Sequence, residues 1–280
     1  MDALPSLEDD GLITPVVGEW GEEKYQLVGC YAQVFARSMK NRWEQRICID
    51  LYSGSGRARL KDSRRIVNAS PLLALGITDP FDRYIFCDLD ATNINALKSR
   101  VEREYPTRDV RYVQGDSNAN VKQILSLIPP YSTDCRVLTF CFVDPFNIKN
   151  LKFETIKQLA AGKRSIDFLV LIPSGMDAQR NTRHANSLYA EFLDNPSWRD
   201  DWNREEQHRR GFGNFFVDQF GTAMKRIGFR WEGVPSTRII KNEKNSPIYH
   251  LAFFSRAPIA GRFWDDCKKY TRTQSKLPFM

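Results

Sequence analysis

Between residues 46 and 173, short apolar runs alternate with helix-like stretches five times over. RICIDLY (46–52), RYIFCDLD (83–90), VRYVQGD (110–116), RVLTFCFVD (136–144) and SIDFLVLIP (165–173) carry the runs. Runs apolar at nearly every position suit strands covered on both faces. Helix signals lie between them. Ser70-Pro71 predicts a start with serine as N-cap and proline at the first helical position. Asp90 or Thr92 opens a second helix through Arg103, Asn118 or Asn120 a third through Leu127, and residues 153–161 read as a fourth. This alternation predicts a parallel, doubly wound sheet.

The flanks extend the pattern. Residues 1–18 read as a polar tail. Residues 21–41 read as an amphipathic helix, with Leu27, Val28, Tyr31, Val34, Phe35 and Met39 on the apolar stripe and Lys24, Gln33, Arg37 and Lys40 largely off it. About forty polar, helix-prone residues (176–211) read as an insertion, and a helix over 215–227 follows. TRIIK (237–241) and PIYHLAFFS (247–255) flank NEKNS as a hairpin. The expected fold is α/β: a mostly parallel seven-stranded sheet ending in an antiparallel hairpin, with helices on both faces. The expected organisation is a tail and helix over 1–45, then one domain over 46–280 with the insertion at 176–211.

Composition narrows the class. With 280 residues, 42% hydrophobic and 27% charged, the chain suits a core-forming domain and not a disordered or collagen-like one. No apolar run approaches the roughly 20 residues of a spanning helix, and MDALPSLEDDGL has no apolar signal core, so the expected compartment is the cytoplasm, with no membrane partner. The six cysteines form no C-x-x-C pair, and His184, His208 and His250 are not spaced as zinc ligands. Buried, reduced thiols and no metal are expected. The net charge is +7, and Arg57, Arg59, Lys61, Arg64 and Arg65 crowd one short segment. Such a cluster beside a ligand cleft suits phosphates, and so nucleic acid; its alternative is a solvated loop.

The candidate chemistry sits where the apolar runs end. Asp50-Leu51-Tyr52-Ser53-Gly54-Ser55-Gly56 follows the first run, and its glycines permit a tight turn and close backbone approach to a ligand. Alone, such a loop is also an ordinary turn. Asp88 and Asp116 end the next two runs. Open α/β sheets bind ligands at these strand ends, where one acid suits ribose hydroxyls and the next an adenine amino group. Asp90 and Asn118 read equally well as helix caps. Asp144-Pro145-Phe146-Asn147 ends the fourth run. Asp144 suits a substrate amino group and Phe146 suits stacking on a planar base, although Asp-Pro also begins many loops. There is no G-x-S-x-G, H-E-x-x-H or P-loop, so hydrolase and NTPase readings lack support.

Taken in order, DLYSGSG, CDLD, QGDSN and VDPFN resemble the class I S-adenosylmethionine-dependent methyltransferases. More narrowly, the chain resembles the three-Cys-motif partner protein family, TcmP. The matching segments are GEWGEEKYQLVGCYAQVF, IDLYSGSGR, NASPLLAL, YIFCDLD, VQGDSN, FCFVDPFN with LKFETI, and DFLVLIPSGMDAQRN, across residues 18–255. The resemblance implies S-adenosylmethionine as cofactor. It puts Asp50, Tyr52, Gly54, Gly56, Asp88 and Leu89 on the amino-acid and ribose parts, with Asp144 at the same edge. Asp116 and Ser117 would face the adenine. Asp144, Pro145 and Phe146 would line the substrate side as the catalytic group. It also implies a partner bearing three cysteines, itself radical-SAM-like. Asn147 departs from the usual last position of the amino-group methyltransferase motif. The missing third glycine speaks against an NAD-type oxidoreductase. The leading expectation is a methyltransferase acting on nucleic acid. The other is a non-catalytic or partner-activated subunit that docks through 176–211.

Overall fold

Every residue of the strand Val137–Val143 is buried, because it runs through the middle of the main sheet with neighbours on both edges and helices on both faces. In the computed structural model, which describes residues 3–162, 164–175, 186–206 and 211–273, this strand is β7. The others are β1 (Val16–Val17), β2 (Gln45–Asp50), β3 (Arg57–Leu60), β4 (Ile66–Asn68), β5 (Arg83–Asp88), β6 (Val110–Gln114), β8 (Ser165–Ile172), β9 (Arg238–Lys241) and β10 (Pro247–Phe254). The main sheet has seven strands in the order β6-β5-β2-β7-β8-β10-β9. From β6 to β8 all pairs are parallel; β10 runs antiparallel to β8 and to β9. The expected architecture is the observed one. The chain builds outward from β2 in one direction, then in the other, so the switch point lies between β2 and β7.

The helices are α1 (Gly21–Met39), α2 (Ser70–Leu75), α3 (Ala91–Glu104), α4 (Val121–Leu127), α5 (Phe153–Ala160), α6 (Asn186–Leu193), α7 (Trp198–Glu206), α8 (Phe212–Arg226) and α9 (Pro258–Thr273). One face packs Leu27, Tyr31 and Phe35 of α1, Leu72 of α2, Leu97 of α3 and Trp264 of α9 onto Tyr84, Phe140 and Leu251. The other packs Ile124 of α4, Ile156 of α5, Phe192 of α6, Trp198 of α7 and Phe216 of α8 onto Ile49, Cys141 and Val170. Successive strand side chains point to opposite faces, so each run supplies both cores. Each fully buried large aliphatic or aromatic contributes roughly 1.5–3 kcal/mol.

Several local expectations are corrected. Residues 1–18 are no free tail: Leu4 is buried, the Leu7 N–H donates to Ile66 O at 2.8 Å, and β1 pairs with β3. The basic segment is no loop either. β3 and β4 form an antiparallel hairpin, which with β1 makes a separate three-stranded sheet. Ser70 is the first residue of α2 and not its cap, since its hydroxyl is drawn to Asp50 at 2.6 Å. The helix expected over 215–227 begins at Phe212. Where described, the insertion belongs to the core: Tyr189 stacks on Trp198 at 4.9 Å, and Phe192 on Phe216 at 5.4 Å. Residues 176–185 and 207–210, with His184 and His208, lie outside the described residues. All six cysteines are reduced thiols, and Cys30 and Cys267 sit sulfur to sulfur at 2.7 Å between α1 and α9. Among the described residues there is no metal-binding cluster and no helix long and apolar enough to cross a membrane.

Candidate functional site

The switch point gathers the loops that follow β2, β5, β6 and β7. After β2 the chain turns through Gly54 (φ 60°) and Gly56 (φ 87°), in the left-handed region that glycine enters without strain. Gly54 has open space where a side chain would stand. A Cβ on Gly56 would come within 2.7 Å of Leu97, so that glycine serves packing. The loop is held from both sides: the Gly54 N–H donates to Asp88 Oδ2 at 2.8 Å, and the Ser53 N–H to Cys87 O at 2.9 Å.

The strand-tip acids differ in what they have left to offer. Asp88 accepts from Gly54 N–H on one oxygen, and from Asp90 N–H (2.9 Å) and Asn93 Nδ2 (3.1 Å) on the other. A carboxylate offers about four lone-pair positions, so Oδ2 keeps one for a hydroxyl. Leu89, next to it, is 67% exposed. Asp90 caps α3 by accepting from Thr92 N–H, so the capping reading holds there. Asp116 accepts from Asn118 N–H and Nδ2, both at 2.8 Å. Asn118 itself is not the cap of α4, since Asn120 precedes that helix. Its amide oxygen receives Lys152 N–H and the Thr155 hydroxyl, tying this loop to the start of α5. Ser117 donates to Tyr52 Oη at 3.2 Å, and Tyr52 Oη to Asn150 O at 2.7 Å. Tyr52 and Ser117 therefore brace the loops after β2, β6 and β7 against one another.

Asp50 is 2% exposed, and its carboxylate accepts from Ser70 Oγ and from Tyr52 N–H. Burial pushes its pKa up to about 7, against the pull of those two donors. Its visible role is to hold the start of α2 and the turn after β2, rather than to present an open carboxylate to a ligand.

After β7 the chain places Asp144 beside the switch point. Lys24 Nζ donates to Asp144 Oδ2 at 2.6 Å, with both side chains mostly buried. Burial works against the Lys24 charge, and the facing carboxylate more than offsets it, so the ammonium is held above its ordinary pKa. Tyr25 and Tyr249 are buried in the field of the same pair, and Tyr249 Oη has no partner among the described residues. Pro145 is buried, while Phe146 is 92% exposed. Leu89 and Phe146 follow β5 and β7, the two neighbours of β2, so an exposed apolar side chain stands on each side of the glycine loop.

The hairpin cations behave otherwise. Arg57 meets Asp10 at 3.1 Å and Glu104 at 2.8 Å, Arg59 meets Asp9 at 2.6 Å, and Arg65 meets Glu22 at 2.6 Å. The basic rim expected from residues 57–65 is thus largely neutralised by the N-terminal segment, α1 and α3. Lys61 and Arg64 are exposed and form no ion pair among the described residues.

Lys24 was missed as a site residue, and the signal was available. Positions 24, 28, 31 and 35 follow the helical period, so Lys24 lies on the apolar stripe of α1 and not off it. A lysine there must find a counter-charge. Tyr249 carried no comparable signal, since its neighbourhood is assembled from elements over 100 residues apart.

The same loops suit adenosine chemistry. Ser53 Oγ in the glycine loop and Asn93 Oδ1 beside Asp88 are buried without partners, and Gly54 leaves space above the loop. The lone pair left on Asp88 Oδ2 fits a ribose hydroxyl.

Strand order and a closing reversed hairpin define this as the class I methyltransferase fold. No protein-family model and no curated protein matches the chain. Solved structures resemble it at the level of fold. A DUF519-family protein from Legionella pneumophila is 12% identical with a TM-score of 0.50, covering 90% of this chain and 93% of that one. An O-methyltransferase from Bacillus cereus, solved in complex with SAH, is 10% identical with a TM-score of 0.46, covering 81% and 80%. A putative RNA methyltransferase from Pyrococcus horikoshii is 11% identical with a TM-score of 0.41, covering 81% and 83%.

Proposed function

We propose that this protein is an S-adenosylmethionine-dependent methyltransferase whose acceptor is a planar, nitrogen-bearing base of a nucleic acid. The observation that carries the reading is the pair of exposed apolar side chains, Leu89 and Phe146, on either side of a glycine loop held by Asp88. Leu89 supplies an apolar face for the adenine, and Asp88 Oδ2 accepts a ribose hydroxyl. Asp116 and Ser117 close the adenine side. The bound cofactor supplies the methyl group.

The chain's own work is positioning. Phe146 stacks on the acceptor base, a contact of about 1–3 kcal/mol. Asp144 accepts a hydrogen bond from the acceptor's amino group, while Lys24 fixes the carboxylate and compensates its charge. Holding the acceptor nitrogen in line with the methyl group supplies much of the acceleration. Phosphate contact falls to Lys61 and Arg64, because the three arginines around them are taken by carboxylates.

The resemblance over residues 18–255 supports a second element: a three-Cys-motif partner that completes or activates the site. The insertion is a poor candidate for a removable docking module, since deleting α6 and α7 would take Tyr189, Phe192 and Trp198 out of the core. Charge reversal at the exposed Asp200 and Arg204 tests docking without unfolding the chain.

Calorimetric titration with S-adenosylmethionine and S-adenosylhomocysteine is the decisive test. Binding that Asp88→Ala weakens ten- to a hundredfold supports the cofactor site. Absence of binding by folded protein, alone and with the partner, refutes the reading. If methyl transfer to every accepted substrate survives Asp144→Ala, the assigned role of Asp144 is wrong.

A further inference from the structure

A cavity of about 270 Å³ lies between the N-terminal segment and the α1/α2 face, and none of the strand-tip residues lines it. Leu4 and Leu7 close one side, Leu73 and Ile77 the other, and Gln26 and Gln33 of α1 and Asn68 of β4 contribute three carboxamides. The lining contains no Asp, Glu, Lys, Arg or His.

Those of Gln33 and Asn68 are incompletely paired. Gln33 is 9% exposed, and its Oε1 accepts from Thr78 N–H at 3.1 Å, yet its Nε2 is buried with no partner. Asn68 Oδ1 is likewise buried and without a donor. A buried polar atom left unmatched costs roughly 1–3 kcal/mol, and native folds carry few. Here one unmatched donor and one unmatched acceptor belong to two residues that line one largely apolar cavity, each atom itself covered by the surrounding protein.

We propose that this cavity binds a small neutral molecule with an amide-like edge: a primary carboxamide, a lactam or an uncharged heterocycle. Its acceptor takes the Gln33 Nε2–H and its donor meets Asn68 Oδ1, each side-chain amide turning slightly toward the cavity. Its apolar body packs against Leu4, Leu7, Leu73 and Ile77. The volume limits it to about one substituted ring, below the usual range for drug-sized ligands. The uncharged lining excludes ions, which would be buried without compensation.

Two walls of the cavity lead to the strand tips. Two residues after Asn68, Ser70 donates to Asp50. Lys24, which holds Asp144, directly precedes Tyr25, and Tyr25 lines the cavity. Where occupancy shifts either wall, the carboxylate tied to it shifts too, and cofactor and cavity ligand then alter each other's affinity by one reciprocal factor. This coupling rests on the cofactor reading above; binding in the cavity does not.

Benzamide is the probe, with benzoate as its charged counterpart of matching shape. The expected result is a saturable shift of the Gln33 and Asn68 side-chain amide resonances with benzamide and none with benzoate. Gln33→Leu, checked for unchanged thermal unfolding, should weaken benzamide about tenfold, as befits the removal of one neutral hydrogen bond. The proposal is overturned by no saturable shift, by equal binding of benzoate, or by unaltered affinity in Gln33→Leu. A crystal soaked in benzamide that shows only ordered water between the two amides also overturns it. The coupling is read as a change in S-adenosylhomocysteine affinity at saturating benzamide. An unchanged affinity removes the coupling alone. A chain that binds benzamide but not S-adenosylhomocysteine retains the cavity site and loses the cofactor reading.

Discussion

Two groups of charge flank the glycine loop, and the fold treats them in opposite ways. The cations of the β3–β4 hairpin are drawn into pairs: Arg57, Arg59 and Arg65 each meet a carboxylate within about 3 Å. Behind them Arg100, with no exposure, donates to Asp10, to the Ile13 and Ser55 carbonyls and to Thr14 Oγ1. Arg100 foremost, then Arg103, holds the Asp10 carboxyl far below its ordinary range. Among the strand-tip acids, Asp88 and Asp116 are held by backbone N–H groups and side-chain amides, which fix their direction and leave lone pairs over, whereas Asp50 is turned to Ser70 and Asp144 is paired with Lys24. The first group fastens the N-terminal segment to the domain, while Asp88 and Asp116 keep acceptor positions unfilled. A run of charge in sequence thus says little about function until its partners are known.

The largest expected effect breaks the first group. Arg100→Met leaves the Ile13 and Ser55 carbonyls without their donor and takes one of three arginines from Asp10, a loss of about 3–5 kcal/mol at roughly 1–3 kcal/mol for each orphaned acceptor. Denaturant melts would read it. A loss under about 1 kcal/mol would show the N-terminal segment to be held by apolar packing instead.

A somewhat smaller effect tests Asp50. Its folded pKa is raised from 3.8 to about 7, so between those values the folded chain binds more protons than the unfolded one. Stability from this group is therefore present at low pH and lost as pH rises from about 4 through about 7. Asp50→Asn can still accept from Tyr52 N–H on Oδ1 while its Nδ2 donates to the Ser70 hydroxyl. Relative to wild type it should gain about 2–4 kcal/mol across that window, at roughly 1.4 kcal/mol per unit of pKa shift. Parallel stability profiles for the two proteins would refute the assignment.

Asp88→Ala sharpens the comparison from the side of the ligand. It removes a hydroxyl acceptor and the anchor of Gly54 N–H, and should weaken cofactor binding by ten- to a hundredfold, or about 1.4–3 kcal/mol. Thermal stability should also fall, by a smaller amount, since the half-buried carboxylate accepts from Gly54, Asp90 and Asn93.

The smallest effects belong to the hairpin surface. Arg59→Ala breaks a partly exposed pair and should cost under about 1 kcal/mol. If nucleic acid is bound, removing Lys61 and Arg64 should reduce the salt slope of binding by about 0.7–0.9 for each phosphate no longer neutralised. Arg59→Ala should leave that slope nearly unchanged. An equal reduction by Arg59→Ala would mean that the internal pair opens on binding.

Much of this was legible in the chain. Alternating apolar runs and caps gave away the order of strands and helices, because side-chain period and local capping are properties of a few neighbouring residues. The same holds for the glycine loop and for the acids at strand ends. Lys24 was legible in principle, from its place on the apolar stripe of α1, but its counter-charge lies 120 residues away. The hairpin hidden in residues 57–68 was read as a loop, because its strands are only three and four residues long, too short for the alternation of RARL to stand out from its charge.

What the sequence determined by itself was therefore the sheet, its reversed closing hairpin and the positions of Asp50, Asp88, Asp116 and Asp144 at strand ends. Only the tertiary structure decided which of these carboxylates stay open. Packing turned Asp50 inward to Ser70, joined Asp144 to Lys24, and matched the arginines of the hairpin with acids from the first 22 residues and from α3. The physical reason is one of range. Backbone propensity and periodicity act over a turn or a strand, whereas the state of a charge depends on every group within several ångströms, wherever in the chain it originates.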